Sequence, residues 1–157
     1  GDWMGAPVPV SHVRGQVAYV NKLARPLRHT VMRGNTYAVP KGDGTTLVGT
    51  TLEDVGYDPR VTTGGVASFL PSIQDLVPAI AETTINLTRA GLRPRTYDEA
   101  PLLGPAPGIE GLILATGHSR SGILLAPATA RIISDLILRG AVDLGPFEAM
   151  RLEKATV

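Results

Sequence analysis

The sequence has 157 residues, which is enough for a domain with its own core. Its formal net charge is +1 and it has no block of lysines and arginines, so neither nucleic acid nor an anionic membrane is indicated as a partner. The absence of cysteine excludes disulfides and thiolate metal sites, and the three histidines are too far apart to predict a metal site. The longest apolar runs are far shorter than a membrane span and no signal-peptide pattern is present, so we expect a soluble, cytoplasmic protein.

The first half of the chain has the patterns of an antiparallel sheet. Alternation predicts a strand over residues 14–21 and a second one over 28–41 that is broken or bulged at Gly34–Asn35. The glycines of residues 42–44 predict a tight turn into a returning strand over 45–51, whose β-branched residues suit a half-buried sheet.

A helical region and a long strand follow. A helix is predicted from Thr62 or Thr63, because apolar residues recur at three- and four-residue steps up to Ile80. Pro71 is expected to start a second helix after a break, since proline is tolerated in a first turn and disfavoured inside a helix. A strand is predicted over 83–96 and a proline-rich loop over 97–111.

The end of the chain is more apolar than a half-exposed sheet requires. A short strand over 112–117 is of the kind that is buried on both faces, and a helix over 122–138 is apolar nearly all round. Arg139 and Gly140 are its stop signals, and a short terminal helix is predicted within 147–154. The predicted fold class is therefore α+β, an antiparallel sheet with a helical insertion, plus a terminal strand–helix pair that needs cover from structure outside this chain.

The stretch LATGHSRSGILLAP, residues 114–127, joins the last strand to the last helix and contains one cation, Arg120. A helix N-terminus favours an anion, and an arginine beside it adds charge-assisted hydrogen bonds. A solvated turn arginine would give the same pattern, so the spacing alone leaves both interpretations open. The Gly-x-x-x-x-Gly spacing is not followed by Lys-Ser/Thr, so it is not a Walker A loop.

Arg93 lies in the predicted strand 83–96 with the same parity as Leu87, and we expect it to point toward the face that Leu87 buries. A buried arginine needs an anionic partner. A substrate carboxylate held by the planar guanidinium is one solution, and a structural ion pair with Asp98 or Glu99 is the other.

Tyr37 and His118 also have ordinary explanations, a core aromatic with a bonded hydroxyl and a turn-capping histidine. No Ser-His-Asp or paired-carboxylate arrangement stands out. There is no G-x-G-x-x-G, which a chain that binds a dinucleotide by itself is expected to contain.

Three stretches, VRGQVAYV (13–20), NTYAVPKGDGTTLVGTT (35–51) and the run from AGLRP to IISDLI (90–137), occur in the order of a known family. Together they resemble the C-terminal part of the flavin-dependent amino-acid oxidases, the family of D-amino-acid oxidase and sarcosine oxidase, and within it most nearly the glycine oxidases of thiamine biosynthesis. The most specific match is GHSRSGILLAPAT, residues 117–129.

The resemblance implies a two-domain flavoprotein that uses FAD, bound non-covalently here since cysteine is absent. Residues 1–13 would be the tail of an FAD domain that this chain lacks, 14–110 the substrate-binding domain, 111–140 a strand–helix pair that returns to the FAD domain, and 141–157 a C-terminal tail. The FAD-binding half is expected as a separate chain or an upstream segment, and the assembled enzyme as an oligomer. Alone, this fragment is expected to be inactive.

The resemblance also implies roles for individual residues. Arg93 matches the arginine that binds the substrate carboxylate, Arg120 a second active-site arginine near substrate and flavin, and Tyr37 a tyrosine whose hydroxyl assists carboxylate binding. Leu52 falls where an apolar residue lines the small pocket. The segment that wraps the isoalloxazine end of FAD comprises Gly117, His118, Ser119, Arg120, Ser121, Gly122, Ile123 and Leu124.

The implied reaction is oxidation of the CH–NH bond of glycine or a similar small amino acid, by hydride transfer to flavin, with release of a keto acid, ammonia and hydrogen peroxide. A sarcosine or other secondary-amine oxidase or dehydrogenase subunit stays open, as does a non-catalytic substrate domain. Arg89 stands where relatives often have an aromatic residue, and Asn35 where glycine oxidases have a histidine, so the shape of the pocket is not fixed by the resemblance.

Overall fold

The computed structural model describes residues 8–140, 142–149 and 151, and its contacts divide the chain into two compact units. Val13–Leu92 form the first, which we call the sheet unit. The described parts of Gly1–His12 and Arg93–Val157 form the second, the terminal unit. This division does not test the assignment of 14–110 to a substrate-binding domain, which stays a prediction.

Antiparallel pairing organises the sheet. β1 pairs with β4 and with β5, β2 with β3, and β3 with β4, all antiparallel, and β6 pairs with β1. The predicted antiparallel sheet is therefore confirmed. Its strands are β1 Ser11–Val20, β2 Val31–Arg33, β3 Thr36–Pro40, β4 Thr46–Gly49, β5 Glu53–Asp54 and β6 Ile85–Arg95.

Gly34–Asn35 reverses the chain rather than bulging one strand, so the expectation of a single broken strand was wrong. Arg33 and Thr36 face each other as the last pair of the β2–β3 hairpin. Gly34 has φ of 59°, a conformation that costs glycine little and other residues more. The two-residue loop thus gives the sheet its outer strand.

The helix after the sheet, α1, runs over Thr63–Leu76 with Pro71 inside it, so the predicted break at Pro71 was wrong. Pro71 is exposed while Phe69 and Ile73 are buried, and the proline ring therefore does not disturb the packed side. The break comes later, where Pro78 begins the 3₁₀ helix Pro78–Glu82.

The core of the sheet unit lies between α1 and one face of the sheet. Ala18, Val48 and Ala38 face one another across β1, β4 and β3, and all three are fully buried. Ile73 of α1 is also fully buried, and burial of such a side chain stabilises by about 1.5–3 kcal/mol. The complete cluster is Ala18, Val20, Leu23, Ala38, Val48, Phe69, Ile73 and Ile80.

The terminal unit contains a β-hairpin and a long helix. β7 (Leu102–Pro105) pairs antiparallel with β8 (Ile113–Thr116). The loop predicted for 97–111 was therefore wrong at β7, whose Leu102 is fully buried. β8 was predicted in place, but it is only partly buried, not covered on both faces.

The long helix α2, Gly122–Arg139, ends at Gly140 as predicted. Gly140 has φ of 77° and its N–H donates to the Leu136 carbonyl at 3.0 Å, which is a typical helix stop. None of the residues of α2 is buried, and Ile123 is 96% exposed. The terminal helix predicted within 147–154 overlaps the 3₁₀ helix Gly145–Phe147 at Phe147, and Met150 and residues 152–154 of it lie outside the described residues.

In the part of the chain that the structure describes, one helical segment, Ser119–Arg139, has a mean hydropathy of 1.5 and is long enough to cross a membrane by length and composition alone. The expectation that the apolar runs are far shorter than a membrane span therefore holds for uninterrupted runs of apolar residues. It does not hold for this helix when hydropathy is averaged over its residues. Core helices of soluble proteins meet the same criterion. The absence of a membrane partner and the cytoplasmic location stay predictions.

Candidate active site

Tyr37 lies on the face of the sheet that α1 does not cover. It faces Gly49 across the β3–β4 pair, and Gly49 faces Val17 across the β4–β1 pair. The neighbouring row of Ala38 lies in the core, and successive residues of a strand point to opposite faces. A Cβ on Gly49 would lie 2.8 Å from the Val17 side chain, so the position beside Tyr37 has to be a glycine.

A bulge places Leu52 on the same face as Tyr37. Val17 pairs with Gly49 and Arg14 pairs with Glu53. The two β1 residues are three positions apart, whereas their partners are four positions apart. One extra residue is thus inserted, and it reverses which side chains point to which face. Without it Leu52 would face Arg14 and point toward α1. With it, Leu52 is 46% exposed on the opposite face.

A buried polar network lies on the α1 side of this bulge, and sequence reasoning did not find it. Arg14 is 5% exposed and donates from Nε to Glu53 Oε2 at 2.7 Å, with a second contact from its terminal nitrogen. Gln16 is fully buried and donates from Nε2 to Glu53 Oε1 at 2.8 Å. Burial opposes ionisation of Glu53, but hydrogen bonds from Thr51, Arg14 and Gln16 outweigh it and hold its pKa below the usual value.

Gln16 also joins the network to the start of α1. Its Oε1 accepts from the Thr62 N–H at 2.8 Å, and its Nε2 donates to Thr62 Oγ1 at 3.1 Å. Thr62 Oγ1 in turn accepts from the Gly65 N–H at 3.1 Å and caps the helix. A Cβ on Gly65 would lie 2.0 Å from Gln16 Nε2, so the helix approaches the sheet here only because position 65 is glycine.

Asp58 forms ion pairs with both Arg14 and Arg60, and these contacts close the loop that follows Leu52. Arg14 donates to Asp58 Oδ2 at 3.0 Å, and Arg60 donates to both carboxylate oxygens at 2.9 and 3.0 Å. The Arg60 side chain, with its backbone N–H and the Arg14 charge, holds the pKa of Asp58 well below its usual range. The loop is therefore ion-paired at both ends.

In the terminal unit, the segments that contain Arg93 and Arg120 are held side by side. Arg95 and His118 form an antiparallel bridge, and each arginine is two residues from it. Arg93 is half-buried and Arg120 is exposed. The expectation that Arg93 shares a buried face with Leu87 was wrong, because Ile85 and Leu87 are 42% and 43% exposed.

The turn before α2 has a restricted geometry. Gly117 has φ of 77°, and a Cβ there would lie 2.8 Å from Thr96 Cγ2. Ser119 has φ of 48°, which is uncommon for a residue other than glycine. His118 Nε2 shares a hydrogen bond with Thr129 Oγ1 at 2.9 Å, so the turn is tied back to the second turn of the helix.

The loop that follows β6 is clasped by Arg151, another feature that sequence reasoning missed. Arg151 donates to both carboxylate oxygens of Asp98, at 2.8 and 3.0 Å, and to the carbonyls of Ala100 and Pro101. The Arg151 side chain holds the pKa of Asp98 well below its usual range. No sequence signal links residues 53 apart, and a clasp of this kind becomes visible only in the fold.

Residues 1–136 match the family model described as "FAD dependent oxidoreductase". The chain belongs to this family, whose members are FAD-dependent oxidoreductases. It is 39% identical over 147 residues to glycine oxidase of Pseudomonas putida, covering 92% of this chain and 40% of that protein. It is 34% identical over 155 residues to hydrogen cyanide synthase subunit HcnC of Pseudomonas protegens, covering 98% of this chain and 37% of that protein.

The fold is similar to that of a solved relative. The crystal structure of glycine oxidase from Geobacillus kaustophilus superposes with a TM-score of 0.84 at 37% identity, covering 94% of this chain and 40% of that one. The mixed architecture with antiparallel sheets thus agrees with the family. The chain spans about 40% of the length of the curated glycine oxidase that it matches.

Proposed function

We propose that the protein to which this chain contributes oxidises the CH–NH bond of glycine or a similar small amino acid with FAD, and that this chain supplies groups that bind the amino acid. The observation that carries the proposal is the Arg95–His118 bridge, which holds the segments of Arg93 and Arg120 side by side within one unit. The similarity to glycine oxidase over 92% of the chain supports the same conclusion.

Arg93 binds the substrate carboxylate in this proposal. Its guanidinium can form two parallel hydrogen bonds to a carboxylate, which fixes the orientation of a small amino acid as well as its charge. Arg120 adds a second cation for the same substrate. Tyr37 contributes a hydroxyl for the carboxylate, and Leu52 is the apolar residue that limits the size of the side chain.

Residues 117–124 fit the flavin end of FAD. The Ser121 side chain does not cap α2, and the first turn of α2, which the structure describes in full, has no acidic residue. The N–H groups at the N-terminus of α2 therefore favour an acceptor oxygen. Ile123 and Leu124 are 96% and 80% exposed and offer apolar contact to a flat ring. FAD, when bound, supplies the acceptor for the hydride that leaves the substrate carbon.

The first test is spectroscopic. The protein that contains this chain is purified with the FAD-binding half, whether that is an upstream segment or a separate chain, and its visible spectrum is recorded before and after glycine without oxygen. Flavin bands that bleach with glycine support the proposal. Absence of flavin contradicts it and favours a non-catalytic substrate domain. Gel filtration of the same sample tests the expected oligomer.

The second test assigns Arg93. Arg93→Lys replaces a bidentate fork by a point charge, and we expect the KM for glycine to rise by about ten- to a hundredfold, since hydrogen bonds to a charged group contribute about 1.5–3 kcal/mol. Arg89→Lys is the matched control, because Arg89 is exposed on the same strand. An unchanged KM in Arg93→Lys would show that another group binds the carboxylate.

A second candidate function follows from the similarity to a hydrogen cyanide synthase subunit over 98% of the chain. In that case the enzyme is one component of a heteromer that forms hydrogen cyanide. The two candidates are separated by the products formed from glycine. Hydrogen peroxide in stoichiometric amounts favours the oxidase, whereas hydrogen cyanide favours the second candidate.

A further inference from the structure

We propose that Arg14 and Glu53 are a positioning pair: their buried ion pair holds the bulge before β5 in register, keeps Leu52 on the Tyr37 face, and so determines the size of amino acid that is accepted. This inference rests on the proposed function for its substrate. Its structural part, the control of the register by the ion pair, is independent of that function.

The bulge is held by unusual partners. In a regular ladder the backbone N–H of Gln16 would donate to a backbone carbonyl, but here it donates to Thr51 Oγ1 at 2.9 Å. The Gln16 carbonyl accepts from Thr50 Oγ1 at 3.0 Å and from the Thr51 N–H at 3.3 Å. Side-chain hydroxyls therefore replace part of the ladder, and the register is not fixed by backbone bonds alone.

Charge pairing selects this register over the alternative. A slip of one residue would place Leu52 opposite Arg14, on the side where the side chain of Gln16 already fills the space in front of Gly65. It would also separate Arg14 from Glu53 and leave a cation that is 5% exposed without that carboxylate. Both costs oppose the slip, and the second of them is set by the buried Arg14–Glu53 pair.

The position of Leu52 follows directly from this arrangement. Thr51 and Glu53, on either side of it, bond toward β1, so Leu52 is fixed between two anchored neighbours with its side chain on the opposite face. An apolar residue that limits a small pocket discriminates substrates that differ by one methylene by about ten- to 200-fold. Loosening either anchor is therefore expected to change substrate selectivity before it abolishes binding of the shared carboxylate.

The test compares Glu53→Gln and Arg14→Lys with the unchanged protein in the FAD-loaded enzyme. We measure kcat/KM for glycine and for alanine, and expect the glycine-to-alanine ratio to fall by about fivefold or more, with flavin content unchanged. Leu52→Ala gives the ratio for a pocket without the leucine. The matched control is Asp75→Asn, which removes an exposed ion pair to Arg33 in the same unit and is expected to leave the ratio unchanged.

A purely structural role gives a different result. Loss of stability lowers the amount of active enzyme for both substrates alike, so an unchanged ratio in both variants overturns the selectivity claim even if total activity falls. If one variant does not fold, the other gives the ratio, because Glu53→Gln retains an acceptor and Arg14→Lys retains the charge.

Amide hydrogen exchange tests the bulge without reference to catalysis. In Glu53→Gln we expect the amide of Thr51, which donates to the Gln16 carbonyl, to exchange at least about tenfold faster, while that of Val48 in the adjoining strand is unchanged. Unchanged exchange at Thr51 contradicts control of the register by the pair. If the unchanged protein lacks flavin or does not oxidise amino acids, the proposed function is contradicted. Faster exchange in the variant would in that case still support control of the register by the pair.

Discussion

The two long helices of the molecule are both rich in apolar residues, yet they have opposite surroundings. In the sheet unit, α1 buries Phe69 and Ile73 against the sheet. In the terminal unit, α2 buries no residue, and Ile123 and Leu138 are 96% and 82% exposed. An apolar helix thus reveals that it needs a partner and does not reveal where that partner lies. The sheet unit is held by the core between α1 and the sheet, whereas the terminal unit buries Leu102 and Leu103 of its hairpin and is closed by the Arg151–Asp98 ion pair.

The largest effect is expected from one substitution made in each helix. Ile73→Ala removes a fully buried side chain and should lower the free energy of unfolding by about 2–5 kcal/mol. Ile123→Ala removes a side chain that is 96% exposed and should change it by less than about 0.5 kcal/mol in this chain. Urea unfolding of the two variants measures the difference. Equal losses would contradict the contrast between the units.

The next effect concerns the turn that precedes α2. Gly117→Ala forces a side chain into φ of 77° and within 2.8 Å of Thr96, and should cost about 2–4 kcal/mol. Gly34→Ala is the matched control in the sheet unit, because Gly34 has φ of 59° with open space around it. It should cost only the strain of the left-handed conformation, about 1–2 kcal/mol. Equal losses in the free energy of unfolding, measured with denaturant, would show that the Thr96 side chain moves aside without destabilising the fold.

Sequence patterns predicted the elements whose signal is local. Alternation located β1, the glycines of 42–44 located the turn into β4, the three- and four-residue periodicity located α1, and a long apolar run located α2. Local rules failed at proline: Pro71 lies within α1 on its exposed side, and Pro101 and Pro105, the residue before β7 and the last residue of β7, hid that strand. In each case tertiary packing decided against the local preference.

The candidate site was less accessible to sequence reasoning than the fold. Spacing alone left Arg93 and Arg120 open between substrate contacts and ordinary ion pairs or solvated turns, and their proposed roles come from the family resemblance. The parity argument for Arg93 failed because the β6 residues that share it are exposed in this chain. The bulge that turns Leu52 toward the Tyr37 face depends on bonds between Gln16 and the chain some 35 residues later, which no local pattern encodes.

An intermediate effect is expected from the clasp of the terminal unit. Asp98→Asn weakens a two-point bond to Arg151 and should lower the free energy of unfolding by about 1–2 kcal/mol at pH 7. The folded-state pKa of Asp98 lies below its usual 3.8, so its contribution is present above that pH and is lost as the pH falls through the folded-state pKa. The gap between the stability curves of the two proteins should therefore begin to narrow below about pH 4 and close only below the folded-state pKa of Asp98. A gap that does not narrow as the pH falls below about 4 would show that the carboxylate charge is not its source.

The smallest effect separates packing from surface charge. A surface ion pair can be tested in each unit, Arg33–Asp75 at 3.9 Å in the sheet unit and Asp135–Arg139 at 3.4 Å along α2. Asp75→Asn and Asp135→Asn should each change the free energy of unfolding by no more than about 0.5 kcal/mol, and the change should shrink with added salt. Thermal unfolding at low and high ionic strength measures both. Because exposed pairs contribute little wherever they lie, we expect similar changes in the free energy of unfolding in the two units. A large change for Asp135→Asn alone would mean that charge along α2, rather than the missing apolar burial, sets the stability of that helix.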